Sequence, residues 1–136
     1  MTTFSWQVRV YYEDTDAGGV VYHANYLKFF ERARAEYLRA LGFEQDELRA
    51  RYGILFAVKS IAADYHAPAR FNDLLWVSAQ LTEFRRASLN FGQALGRVGE
   101  TDALCAATAR IACLDAVSFR PRPMPDQLLD YIKHEF

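Results

Sequence analysis

From Tyr26 to Leu41 the apolar positions recur at helical spacing. At about 100° per residue, Tyr26, Phe29, Phe30, Ala33, Tyr37, Ala40 and Leu41 share one face. Leu27 and Leu38 widen it, while Lys28, Arg32, Glu36 and Arg39 lie opposite. An apolar arc of about half the circumference exceeds the roughly 100° of an ordinary surface helix and predicts a helix cradled by a curved sheet. Asn25 has the side chain of an N-cap, and Gly42 suits the left-handed residue past the last turn. Arg34 projects from within the arc and Glu31 from its edge, three residues apart, so the two are expected to pair.

Elsewhere the period is two. Phe4–Tyr12 alternates partly, with Phe4, Trp6, Val8 and Val10 against Ser5, Gln7 and Arg9. Ile54–His66 reads as extended chain, Leu74–Phe84 and Ser88–Val98 as alternating strands, and Ala103–Asp115 as a last strand of small apolar residues. Between them lie a charged connector at Phe43–Arg51 with a short helical turn, a Pro/Asn/Asp turn at Ala67–Asp73, the connection Arg85-Arg86-Ala87 and a hairpin loop at Gly96–Asp102. Arg120–Pro125 carries too much proline for regular structure, and Asp126–His134 is a short amphipathic helix. One strand, one wide-faced helix and then consecutive hairpins predict an α+β fold with a mainly antiparallel sheet wrapped on the helix.

Composition narrows the possibilities. The 136 residues are enough for one domain, spanning 1–136, and with 51% hydrophobic residues they can bury a core. A formal net charge of −1 gives no global pull toward nucleic acid or an anionic membrane. No secretory signal or stretch of membrane-spanning length is read, and Cys105 and Cys113 lack a Cys-x-x-Cys spacing, so reduced thiols and a cytoplasmic setting are expected.

Chemistry concentrates before the helix, in Glu13-Asp14-Thr15-Asp16-Ala17-Gly18-Gly19 and the following His23. On one reading Asp16 is a nucleophile or general base, Gly18 and Gly19 admit close backbone approach, and the free N–H groups of residues 23–26 polarise a carbonyl at the positive end of the helix. That set suits acyl transfer. On the other reading, Asp14 or Asp16 merely caps the turn. His23 can serve as acid–base or as a polar finish to the helix start. A metal site from Asp14, Asp16, His23 and His66 has no supporting His or Cys spacing, so neither metal nor cofactor is expected. No nucleophile elbow, P-loop or dinucleotide fingerprint is found. Lys59, Arg85, Arg86, Arg120 and Arg122 can form a phosphate-binding patch or stand as separate surface charges.

The run Tyr12-Glu-Asp-Thr-Asp16-Ala-Gly-Gly-Val-Val-Tyr-His23-Ala-Asn-Tyr26, followed by Phe30-Glu31-Arg32-Ala33-Arg34, resembles the signature of hotdog-fold acyl-CoA thioesterases of the 4-hydroxybenzoyl-CoA thioesterase type. It is most similar to their Tol–Pal-associated, YbgC-like branch. Tyr65–Arg70 and Arg120–Pro125 resemble that branch as well, so the likeness runs nearly end to end. The resemblance implies five antiparallel strands around one central helix, and a homodimer or homotetramer with sites at the interface. It implies an acyl-CoA substrate, with acyl carrier protein and lipid-synthesis enzymes as further partners. Asp16 falls on the family's catalytic carboxylate, His23 on the position whose backbone N–H polarises the thioester carbonyl, and Tyr12 on a tyrosine near that aspartate. Arg85, Arg86 and Arg122 are carried over as ligands of coenzyme A phosphates. A carboxylate within the helix, here Glu31, serves some relatives, but the intact Asp16 loop argues against it. The alternatives are a hotdog dehydratase or hydratase and a non-catalytic acyl or carrier-protein-binding module, for example in a Tol–Pal-linked complex.

Overall fold

The computed structural model describes residues 3–135. In chain order they form β1 (Phe4–Arg9), a 3-10 turn (Tyr12–Asp14), α1 (Asn25–Ala40), α2 (Gln45–Tyr52), β2 (Ile54–Tyr65), β3 (Leu74–Arg85), β4 (Ser88–Arg97), β5 (Cys105–Asp115) and α3 (Asp126–Glu135). The strands make one sheet in the order β1-β3-β4-β5-β2, and every neighbouring pair is antiparallel.

The expected α+β class holds, and the wide apolar face of α1 lies where its periodicity places it. Tyr26, Phe29, Phe30, Ala33, Tyr37 and Leu38 are buried, and the strands supply Val8, Leu75, Val77, Ala79, Leu81, Leu89, Phe91 and Leu95 against them. Tyr37 sits edge-on to Phe4 and to Phe91, which ties the C-terminal part of the helix to β1 and β4. Burial of one such aromatic contributes roughly 1.5–3 kcal/mol, so the aromatic stripe fixes which side of α1 meets the sheet. At the helix end Leu41 keeps right-handed geometry and Gly42 takes φ +93°, as expected for a glycine past the last turn.

The hairpin expectation needs one correction. Only β3–β4 and β4–β5 are sequential neighbours. β2 pairs with β5, from Ile54 opposite Asp115 to Tyr65 opposite Cys105, and lies at the far edge from β1. Alternation fixes which side of a strand is apolar but not which strand it meets. Within β2 the register shifts between Val58 and Ser60, so Lys59 is the extra residue of a bulge. Boundaries also differ, and β1 ends at Arg9 rather than Tyr12, which falls in the 3-10 turn. The connector before β2 is an eight-residue helix, α2, closed by Gly53 at φ +67°, and β5 starts at Cys105 rather than Ala103.

The expected Glu31–Arg34 pair is replaced by a longer-range one. Arg34 is buried, and its Nη1 donates to Gln93 Oε1 at 2.8 Å. Gln93 Nε2 in turn donates to the carbonyls of Phe30 at 3.0 Å and Ser78 at 3.1 Å. A buried guanidinium needs acceptors. Gln93, 5% exposed on the inner face of β4, supplies one deeper in the core than the exposed Glu31.

Candidate active site

The acidic loop folds into a tight hairpin against the start of α1. Asp16 N–H donates to Val20 O at 2.9 Å and Gly19 N–H to Asp16 O at 3.0 Å, and Gly19 takes φ +76°. A turn followed by a left-handed residue is the usual three-residue hairpin geometry, and it accounts for one of the two glycines. The other is Gly18. Its N–H donates to Asp16 Oδ1 at 2.8 Å, and a Cβ there would sit 3.2 Å from that oxygen. The turn therefore holds the Asp16 carboxylate from one side and leaves it exposed to solvent.

Asp14, two residues earlier, does a different job. It is 7% exposed, with Oδ2 accepting the Tyr11 N–H at 2.8 Å and Oδ1 accepting Asn25 Nδ2 at 2.9 Å, while its carbonyl accepts the Tyr22 N–H at 2.9 Å. Both carboxylates accept backbone bonds of the turn; Asp14 is buried by its bonds, whereas Asp16 accepts only the Gly18 N–H among the described residues and stays exposed. The same bonds correct the capping expectation. Asn25 is the first residue of α1 rather than its cap, because its side chain is turned back to Asp14; Ala24 precedes it and offers no side-chain cap.

The helix start is held from the other side by the segment after β2. Tyr65 donates its hydroxyl to His23 O at 2.8 Å and packs edge-on to Tyr26. The Tyr26 hydroxyl accepts the Ala69 N–H at 3.0 Å, and Val21 N–H donates to Ala69 O at 2.9 Å. Burial pushes the Tyr26 phenol up, against the hydrogen bond from the Ala69 N–H, which lowers it. Among the described residues neither the His23 nor the Ala24 N–H donates to a protein acceptor. Both precede Asn25, the first residue of α1, at the positive end of the helix. The His23 ring is exposed and rests on Tyr22. Tyr12 is placed away from the hairpin's inner side: it is 77% exposed and stacks on Phe71 at 4.1 Å.

One helical turn below, an apolar cavity of about 290 Å³ opens between α1 and β2. Leu27, Leu38, Phe56, Ile61, Leu89, Phe91 and Ile111 line it, with Lys28, Glu31 and Arg34 as its charged members.

Basic residues gather on another surface. Lys59, Arg85 and Arg110 line a groove of about 380 Å³ together with Ser88 and Asn90. Arg85 is only loosely held, by Glu83 at 3.3 Å. Arg86 and Arg122 do not line this groove. Arg122 Nη1 donates to Asp115 Oδ1 at 2.8 Å and to Gly53 O at 3.3 Å, tying the proline segment to the start of β2. Among the described residues no group of three His, Cys, Asp or Glu side chains is placed to hold a metal ion, and no helix is long and apolar enough to cross a membrane. The two thiols are buried, which pushes Cys105 and Cys113 up to about 11.

An exposed carboxylate and unpaired N–H groups at the positive end of a helix are groups that acyl transfer can use, and the apolar cavity begins one helical turn on, at Leu27. Residues 18–103 match the model of the "Thioesterase superfamily". The chain belongs to that superfamily. It is 47% identical over 131 residues to the acyl-CoA thioesterase YbgC of Haemophilus influenzae, covering 96% of this chain and 95% of that one. It is 43% identical over 132 residues to the acyl-CoA thioester hydrolase YbgC of Escherichia coli, covering 97% of each. Among solved structures, a probable thioesterase from Bartonella henselae superposes with a TM-score of 0.86 at 35% identity, over 91% of this chain and 100% of that one.

Membership of the thioesterase superfamily carries the expected enzyme class, thioester hydrolase, and the hotdog architecture of five antiparallel strands around the helix. Three contributors escaped the sequence reading. Asn25 and Tyr65 position the helix start through bonds to residues 11 and 42 positions away. Arg110, the one basic residue of β5, joins Lys59 and Arg85 because β5 pairs with the bulged part of β2 on one side and with β4 on the other.

Proposed function

We propose that this thioesterase hydrolyses acyl-CoA thioesters, with the thioester carbonyl against the His23 N–H and the acyl group running down the cavity between α1 and β2. The observation that carries the reading is the division of labour in the acidic hairpin. Asp14 is buried in hydrogen bonds to Tyr11 and Asn25, whereas Asp16 stays exposed in the hairpin that leads to the unpaired N–H groups of His23 and Ala24 before α1. Negative charge develops on the carbonyl oxygen as the tetrahedral species forms, and the N–H groups and dipole of α1 stabilise it there. Asp16 either attacks the carbonyl carbon, forming an acyl–aspartyl anhydride that water then hydrolyses to free acid and carboxylate, or removes a proton from the attacking water; in both routes the coenzyme A sulfur leaves as a thiolate that then takes up a proton.

The basic groove supports coenzyme A as the carrier and a homodimer as the working unit. It lies at the Ser88–Ala112 end of the sheet, while the catalytic hairpin lies at the Leu95–Cys105 end, seven residues away along β5. At roughly 3.3 Å per residue that is about 23 Å. β2 is an edge strand, with Val58 53% exposed. A two-fold, antiparallel pairing of β2 with its copy would bring one protomer's groove to the other's hairpin, so Lys59, Arg85 and Arg110 would hold the phosphates of a substrate cleaved by the partner.

The test is release of thiol from short, long and aromatic acyl-CoAs and from the matching N-acetylcysteamine thioesters, which lack the phosphates. Wild type is expected to cleave some of the acyl-CoAs. Arg85→Glu with Arg110→Glu is expected to raise KM for them about tenfold or more and to leave the short thioesters unchanged. Mixing that variant with Asp16→Asn chains is expected to regain activity, since half the sites in a mixed dimer then receive an intact carboxylate and an intact groove. A wild type inert toward every thioester would move the function to a binding module.

A further inference from the structure

Arg34 is 8% exposed and lines the apolar cavity, yet no carboxylate lies within ion-pair distance of it among the described residues. Gln93 engages one of its nitrogens. A guanidinium carries five N–H donors, and among the described residues no sealed side-chain nitrogen or oxygen lacks a partner. The edge of the guanidinium that Gln93 leaves free is therefore open to the space that Arg34 lines. Burial lowers its affinity for the proton, and the Glu31 charge partly restores it. A charge held in an apolar cavity without an ion-pair partner carries a desolvation cost. Gln93 is in turn fixed by the Phe30 and Ser78 carbonyls, so the donor is pre-organised.

Its depth can be read from the helix. Arg34 lies about 14 Å along the axis from Asn25, the first residue of α1, at ~1.5 Å per residue, and the two turn residues back to His23 bring the span to about 16 Å. Helical side chains lean toward the N-terminus by about one turn, which leaves about 11 Å between the guanidinium and a carbonyl at His23. Lys28 adds a second positive charge to the cavity wall, against the single carboxylate of Glu31 at the exposed rim.

We infer that this cavity selects acyl groups carrying an acceptor oxygen, hydroxyl or carboxylate, about 11 Å from the thioester carbonyl, and that the Arg34 guanidinium recognises that oxygen. The inference rests on the proposed placement of the thioester at His23. A plain saturated chain of the same length would leave the donors of Arg34 desolvated and unpaired, which is the costly case for a buried polar group.

The experiment compares octanoyl-CoA with 8-hydroxyoctanoyl-CoA and the ω-carboxylated suberyl-CoA, on wild type, Arg34→Met and Arg34→Lys. Wild type is expected to favour at least one oxygenated substrate by tenfold or more in kcat/KM. Arg34→Met is expected to abolish or invert that ratio, a change that loss of packing alone would not produce because it would slow all three substrates together. Should Arg34→Met fail to fold, Arg34→Lys carries the test: it keeps the charge, lacks the fork, and is expected to lower the ratio at least threefold. A wild-type preference for octanoyl-CoA, or a ratio unmoved by substitution, overturns the inference. Calorimetric binding of 8-hydroxyoctanoate against octanoate separates the two claims. If no thioester is cleaved, the proposed function fails, while a tenfold preference for the hydroxylated acid that Arg34→Met removes still upholds the selectivity of the cavity.

Discussion

Asp16→Asn is expected to lower kcat/KM for acyl-CoA hydrolysis by roughly 10²-fold or more, the ordinary loss for a central nucleophile or general base. It is also expected to leave the melting temperature within about 2 °C of wild type, since exposed substitutions stay near ±0.5 kcal/mol. The two halves of the expectation come from the same geometry. The side chain is exposed, and its hydrogen bond is accepted from the Gly18 N–H, which an amide oxygen at position 16 can accept equally well. The hairpin is otherwise held by backbone bonds between residues 16, 19 and 20, which the substitution does not touch. Thiol release and thermal melting on the same preparations check both halves. A loss below tenfold would remove Asp16 from the reaction, and a large drop in melting temperature would make it a second structural carboxylate like Asp14. Single turnover in heavy-oxygen water then divides the two mechanisms. Label in Asp16 requires an acyl–aspartyl intermediate and identifies a nucleophile. Label confined to the product acid, with no trapped anhydride, favours a base.

The parts of this molecule that the sequence makes legible are those decided locally. The buried face of α1 follows from the 3.6-residue recurrence of Tyr26, Phe29, Phe30, Ala33 and Tyr37, and its end follows from Gly42, the residue type that best tolerates φ +93°. What stays hidden is decided by partners far along the chain. Arg34 reads as one half of an i, i+3 pair until β4 brings Gln93, 59 residues away, beneath it. Asn25 reads as a cap until the hairpin turns Asp14 toward it. Phosphate-binding residues are the hardest to assign from sequence, because exposed arginines look alike. Arg122 belongs with Asp115 and Gly53, whereas Arg110, which the sequence reading passes over, belongs with Lys59 and Arg85. The pairing of β2 with β5 decides both cases, and hydrophobic alternation carries no information about it.

Asp14→Ala is the substitution expected to cost most stability in the hairpin, about 2–4 kcal/mol, because two donors lose a carboxylate acceptor at once and an unpaired buried donor costs roughly 1–3 kcal/mol. One is the part-buried Tyr11 N–H, and the other is the buried Asn25 amide. Urea unfolding is expected to show a lower midpoint with an unchanged slope, the signature of lost stability without a change in the surface exposed. Activity should fall as well. The Tyr11–Asp14–Asn25 bonds join the chain before the hairpin to the first residue of α1, so the register between Asp16 and the His23 N–H depends on them. The conservative pair separates contact from position. Asp14→Asn alone sets an amide donor against the Asn25 amide. Asp14→Asn with Asn25→Asp restores one donor and one acceptor across the same gap, and it places the negative charge in the first turn of the helix, where the dipole favours it. The double variant is expected to recover at least half of the stability lost by Asp14→Asn, a coupling that a double-mutant cycle reads directly. Strict additivity of the two changes would show that Asp14 and Asn25 do not act on each other. The hairpin would then have to be held by its backbone bonds alone, and the loss of activity in Asp14→Ala would need a cause other than displacement of the helix start.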